Sequence, residues 1–291
     1  MAALAAACLL LAQACLAEEM VAYNEKLRFP RDAETIDFGA VRITDWDGLP
    51  AFLRQFPRLR RVDMFASPII PRRANALHDA FPLVRFGWTL RIVSYDHHEH
   101  QVRTDATAFS TLHSNRSTPH TDEELSVLRF CTELRALDIG HNAATNLDFL
   151  YGLPELRVLI VALNQVTDLT PIASLTHLEY LEIFRNRVTD LTPLSGLRHL
   201  KDLNICYNRI TDVSPLYALT GLERLWVHHA AYYNTAERNL SKAQLTALRQ
   251  ALPGTVIDDV SSPTDGGWRE HPRYETLYRM FRAGEYIPFD E

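Results

Sequence analysis

The feature that most constrains this chain is a strict 22-residue period. LRALDIGHN at 134–142, LRVLIVALN at 156–164, LEYLEIFRN at 178–186 and LKDLNICYN at 200–208 share one pattern, and a fifth copy, LERLWVHHA at 222–230, ends in Ala230 instead of Asn. A fixed period of this length is the mark of stacked supersecondary units. The alternation of apolar and variable residues predicts a short strand in each copy, with Leu137 and Ile139, Leu159 and Val161, Leu181 and Ile183, Leu203 and Ile205, and Leu225 and Val227 pointing inward. Asn142, Asn164, Asn186 and Asn208 fall where the chain turns away from the sheet. A buried turn leaves backbone donors and acceptors that need partners. A carboxamide supplies both kinds, so an Asn column can serve one coil after another. The return halves, VTDLTPIASL, VTDLTPLSGL and ITDVSPLYAL, place Thr170–Pro171, Thr192–Pro193 and Ser214–Pro215 at the same position. Hydroxyl caps followed by Pro predict a short helical turn in each coil.

Over 131–230 these residues resemble the 22-residue leucine-rich repeats of the internalin-like and SDS22-like class. The resemblance implies an α/β, right-handed leucine-rich repeat solenoid with a concave parallel β-sheet and short convex 3-10 or α turns. It also implies a protein-binding scaffold, at a bacterial surface or as a regulatory subunit inside cells. The first full copy departs from the pattern, reading AATNLDFL in the return half.

The flanks are irregular. Residues 1–17 contain an uncharged apolar run, AALAAACLLLAQACLA, too short for a membrane span of about 20 residues and suited to a signal segment that lacks a basic start. LAQAC loosely matches a lipidation motif. Residues 18–130 form an N-terminal cap: TIDFGAVRITDW at 35–46 and LRRVDMFAS at 59–67 repeat the strand pattern, with Ile36 and Phe38 matching Val62 and Met64, and LPAFLRQF at 49–56 forms a short helix. FGWTLRIVSY and QVRTDATAFSTL are β-rich runs around DHHEH. They predict an inserted β-hairpin, with Phe109 and Thr111 rejoining the sheet. Thr121 and Glu124 form a capping box. The array with its closing helix and strand covers 131–258; Leu240, Leu245, Leu248 and Leu252 form the helix face, and Thr255 to Asp258 the last strand. Residues 259–291 form an aromatic tail. Tyr274, Leu277, Tyr278 and Phe281 lie at helical spacing there, so the tail is expected to fold onto the solenoid end as a helical cap.

No nucleophile elbow, phosphate loop, dinucleotide fingerprint or zinc spacing is present in the sequence. No catalytic residue, metal site or cofactor is therefore expected. A net charge of −6 with intermixed signs argues against nucleic acid. Cys131 and Cys206, about three repeats apart, are expected to be free thiols. The His97–His100 cluster could bind zinc, but a solvated hairpin tip is the favoured reading, since a structural zinc site usually needs four ligands. Asn115-Arg-Ser117 and Asn239-Leu-Ser241 match the glycosylation sequon.

The outward strand positions carry the functional expectation. Tyr180, Glu182, Phe184, Arg185, Asn204, Tyr207, Arg224, Trp226 and His228 occupy consecutive repeats and should form one patch, rich in the residue types found at interface hot spots. Cover by the C-terminal tail or a loop is the alternative. The function expected is non-catalytic binding of a protein, or a glycan, on the concave face by an exported or surface-held monomer. An intracellular SDS22-like regulatory subunit, with the leader not a true signal, is the second reading. A metal-dependent protein using the histidine cluster is the third.

Overall fold

A computed structural model describes residues 19–93, 99–112, 119–231, 239–260 and 272–289. The segment at 1–17 expected to be a signal, His97 and His98, the sequon at 115–117 and all of 261–271 lie outside them. The chain divides into two compact units, Met1–Thr89 and Leu90–Glu291.

In the first unit, β1 (Met20–Ala22) and β2 (Arg28–Pro30) pair antiparallel. Strands β3 (Thr35–Asp37), β4 (Arg61–Asp63) and β5 (Arg85–Gly87) form a parallel sheet. Its register aligns Ile36 with Val62 and Val62 with Phe86. Phe38, Met64 and Trp88 follow two residues later, just past each strand, and all six side chains are buried. FGW is thus a third copy of the irregular repeat, not the start of a hairpin. Helix α1 (Leu49–Leu53) was expected, whereas α2 (Pro71–Ala80) was not. Its polar sequence carries only Ala74 and Leu77 inward.

The second unit begins inside a two-stranded ribbon of β6 (Thr89–Val93) and β7 (Glu99–Arg103). Then comes a seven-stranded parallel sheet in sequence order: β8 (Ala108–Ser110), β9 (Ala136–Asp138), β10 (Val158–Ile160), β11 (Tyr180–Glu182), β12 (Asp202–Asn204), β13 (Arg224–Trp226) and β14 (Val256–Asp258). The 22-residue period becomes an exact register, Leu137 to Leu159 to Leu181 to Leu203 to Leu225, and these five side chains are fully buried. The same sheet takes in β8, so the array starts before residue 131. Helix α3 (Asp122–Leu125) carries the expected capping box and runs into a 3-10 turn at Ser126–Phe130. Helix α4 (Lys242–Ala251) precedes the closing strand.

On the return side, 3-10 turns run over Asp148–Gly152, Thr170–Ser174, Thr192–Leu194 and Ser214–Ala218. Their caps differ from expectation. The hydroxyls accept nothing from the turn. Instead Asp168, Asp190 and Asp212 each accept the amide two residues on, at 2.8 Å. Thr170 and Ser214 add their hydroxyls as donors to the same carboxylates. Hydrogen bonds from the hydroxyl and amide of Thr170 and Thr192, and from the amide and hydroxyl of Ser214, hold the three carboxyls below the usual range.

The Asn column closes the coils. Asn164, Asn186 and Asn208 accept from the amides of Ala144, Val166 and Val188 in the preceding coil at 3.0–3.1 Å. They donate to the carbonyls of Ile139, Val161 and Ile183 at 2.8–2.9 Å. Asn142 accepts from His120 and donates to Thr111 Oγ1. At the fifth copy, where the Asn is missing, the carbonyl of Ala230 itself accepts the Ile210 amide at 3.0 Å. In the first unit Ser67 takes the corresponding position, its hydroxyl accepting from Ile43 at 2.7 Å. The residue before each of these turns is left-handed: His141, Leu163, Arg185, Tyr207 and His229 have φ between 51° and 59°. Only Gly adopts that conformation without strain, so each position is held by the bonds around it.

A candidate recognition face covered by the chain's own tail

Helix α5 (Tyr274–Ala283) lies across the outer face of the seven-stranded sheet. It buries Leu277, Met280 and Phe281 against Ala108, Ala136, Val158, Ile160, Ala162, Tyr180, Phe184, Cys206 and Trp226. This corrects two expectations. The tail covers the sheet instead of the solenoid end. The buried stripe is Leu277, Met280 and Phe281, while Tyr278 is half exposed. A left-handed Gly284 stops the helix. The chain then turns back, and Tyr286, Ile287 and Phe289 pack along the same cluster. The Tyr286 amide donates to Thr107 Oγ1 at 3.0 Å, and the Phe289 ring lies 6.3 Å from that of Tyr180.

The helix start is fixed by charge. Arg273 Nη1 meets Asp202 Oδ2 at 2.7 Å, and its Nη2 meets both Glu223 oxygens at 2.9 Å. Arg224 reaches the other Asp202 oxygen at 3.3 Å. Asp202 is fully buried, and burial raises its carboxyl above the ordinary value despite the two arginines. A carboxylate placed this deep is costly unless its charge is met on all sides. The guanidinium of Arg273 completes that shell from the tail.

The nine expected contact residues therefore divide. Tyr180, Glu182, Phe184, Asn204 and Trp226 are buried, so the open patch expected from the sequence is corrected to a covered one. The physical reason is that an outward column of large apolar rings favours any cover that removes it from water, and the tail supplies a matching stripe. Tyr180 donates to Glu182 Oε2 at 3.4 Å, and Asn204 accepts the Cys206 amide at 3.0 Å. Arg224, Tyr207 and His228 are partly buried, and Arg185 is exposed. Tyr207 stands edge-on to Phe184 and to His229, with ring centroids 5.4 and 4.9 Å apart. His228 stacks on His229 at 3.8 Å. Arg185, Tyr207 and His229 belong to the left-handed column and form a rim beside the tail.

Cys131 and Cys206 are free and buried, which pushes both thiols up. His100 lies 2.9 Å from His120, ring nitrogen to ring nitrogen. Among the described residues no group of three or more His, Cys, Asp or Glu side chains could hold a metal ion. No helix among them is long and apolar enough to cross a membrane.

Two features of the sequence mark this site. The pattern Arg273, Leu277, Met280, Phe281 places one basic residue a turn ahead of an apolar triad. Asp202 is the one acidic residue in a column that elsewhere reads Ala136, Val158, Tyr180 and Arg224.

Strands and turns repeating every 22 residues about an inward leucine column form a leucine-rich repeat solenoid, and residues 154–196 match the family model for leucine-rich repeats, in two copies. The fold is similar to that of an internalin (inlF) from Listeria monocytogenes, with 19% identity over 78% of this chain and a TM-score of 0.44. This chain spans 54% of that protein's length. Internalin C2 (inlC2) of the same organism gives 23% identity, 78% and 80% coverage of this chain and that one, and a TM-score of 0.40. The leucine-rich repeat ectodomain of the receptor kinase SOBIR1 from Arabidopsis thaliana gives 18% identity, 48% and 76% coverage, and 0.34. No curated protein matches the chain.

Proposed function

We propose that the chain is a non-catalytic scaffold that recognises a protein partner on the outer face of its repeat sheet. One observation carries this reading. Consecutive coils build a continuous trough of aromatic and aliphatic side chains, bordered by Asp202 and Glu223, and a protein segment already occupies it. Aromatic anchors set beside charged groups are how protein interfaces concentrate their binding energy. The partner reaches the face first at its rim, where Arg185 is exposed and Tyr207, His228 and His229 are half covered. The uncharged run at 2–17 supports an exported or surface-held form.

The test uses the full chain immobilised against extracts, comparing wild type with Arg185→Glu and His228→Glu, and with Tyr151→Glu on the return side as control. The expected result is a captured protein, identified by mass spectrometry, lost in the rim variants and kept in the control. Equal capture by all of them, with circular dichroism unchanged, refutes the assignment of the face.

A further inference from the structure

The tail is seated as a ligand is seated. It contributes no strand to the sheet, whose ladder runs from β8 to β14 without it. Only three of the ten α5 residues are buried. Its contact with the buried Asp202, through Arg273, is an ion pair between side chains of tail and trough. Segments anchored by few buried side chains open at lower free energy than the core they rest on. The trough beneath keeps its own internal hydrogen bonds when the tail is ignored: Asp138 accepts from Ser110 and Gly140, and Asn204 from Cys206.

We infer that residues 272–289 are a built-in occupant of the recognition face, and that the partner presents the same chemistry: an amphipathic helix with a basic residue one turn ahead of an apolar triad. This rests on the reading of the sheet face as the binding surface. The trough specifies such a helix in two ways. Asp202 and Glu223 sit at one end and require a cation. Ala108 and Ala136 at the other end have small side chains that admit the bulk of Met280 and Phe281. Residues at i, i+4, i+7 and i+8 share one helical face, which is the spacing of Arg273, Leu277, Met280 and Phe281. Because the tail is tethered, its effective concentration at the face is high, and an external helix binds only as the tail leaves.

The experiment uses the full-length protein and a fluorescent synthetic peptide with the sequence of residues 272–289. Peptide anisotropy is measured against wild type and against a Leu277→Asp, Phe281→Asp chain whose own tail is weakened. At least tenfold tighter binding to the weakened chain is expected. An Arg273→Glu peptide should bind it at least tenfold less well, and adding Glu223→Arg to the chain should restore that peptide. In wild type, amide exchange should release the α5 amides well before those of β9 to β12. The inference is overturned if the tail exchanges together with the sheet, if the peptide binds both chains alike or neither, or if the charge-reversed peptide binds unchanged. Concentration-dependent dimers of the weakened chain with wild type, without peptide binding, overturn it in favour of a second copy as occupant. Capture at the rim is read separately, so its loss would defeat the binding surface without touching the peptide result.

Discussion

Replacing Asn186 with alanine tests how the coils are held together. The side chain is 2% exposed. Its oxygen accepts the Val166 amide at 3.0 Å, and its nitrogen donates to Val161 at 2.8 Å and to Ile183 at 3.2 Å. Alanine leaves the Val166 N–H without this partner inside the stack, while the Val161 carbonyl keeps the Asn164 side chain at 3.1 Å and the Ile183 carbonyl keeps that of Asn208 at 2.9 Å. One unsatisfied buried donor costs about 1–3 kcal/mol, so Asn186→Ala should lose roughly that much. The counterpart is Ala230→Asn, which restores the repeat pattern. It should gain nothing, because the Ala230 carbonyl already takes the Ile210 amide, and the larger side chain enters a fully buried position at a cost of about 1–3 kcal/mol. Urea unfolding gives both values, and hydrogen exchange at the Val166 amide reports the local loss whatever the first unit does. A protected Val166 amide with a loss below about 1 kcal/mol would refute the bridging role of the column. A stabilising Ala230→Asn would refute the reading of the fifth coil.

Other outcomes follow from the same geometry. Arg185 is exposed and left-handed, so Arg185→Gly should be neutral or stabilising by up to about 1 kcal/mol, whereas Arg185→Val should cost about 1–2 kcal/mol, both read from denaturant midpoints. The carboxyls of Asp168, Asp190 and Asp212 are depressed in the folded state. Their contribution is fully present above the unfolded value of about 3.9 and is lost as pH falls through the lower folded values. A triple Asp→Asn variant should therefore lose stability at pH 7 and show a flatter acid limb of thermal unfolding; an unchanged limb sinks the assignment. Peptide mapping after alkylation should find Cys131 and Cys206 unmodified in the native chain and labelled in urea, since burial raises both thiols. Labelling of Cys206 at the rate of a free thiol would contradict its cover by the tail.

The repeat array was legible because every coil states the same message in the same register, from Leu137 through Leu225. Even its edges were visible, with Phe109 joining at one end and the strand at 256–258 closing the other. The turns were half legible. Pro after Thr or Ser marks the position, but the capping group is the aspartate two residues before the hydroxyl, a choice between neighbours that spacing cannot make. Helix α2 was hidden because PRRANALHDA buries so little that its polar face dominates the pattern. The covered face was the hardest to read. Outward residues of a parallel sheet look alike whether water, a partner or a distant tail lies above them. Tyr180 and Trp226 announce a contact without saying whose.

The tail also gauges how many coils lie between β8 and β12. From Asp202 on β12 to Ala108 on β8 there are four strand spacings, about 19 Å at roughly 4.8 Å each. Ten helical residues span about 15 Å, and the reach of an arginine side chain supplies the remainder. Arg273 at one end and Gly284, with its added Cβ position 3.9 Å from the Ala108 carbonyl, at the other therefore gauge a set number of coils. Duplicating a 22-residue unit between β9 and β12 would leave every strand in register and every Asn paired, yet would carry Asp202 one step beyond the guanidinium. Repeat number, usually the freest variable in a solenoid, is over these five strands measured by a helix that belongs to none of the repeats.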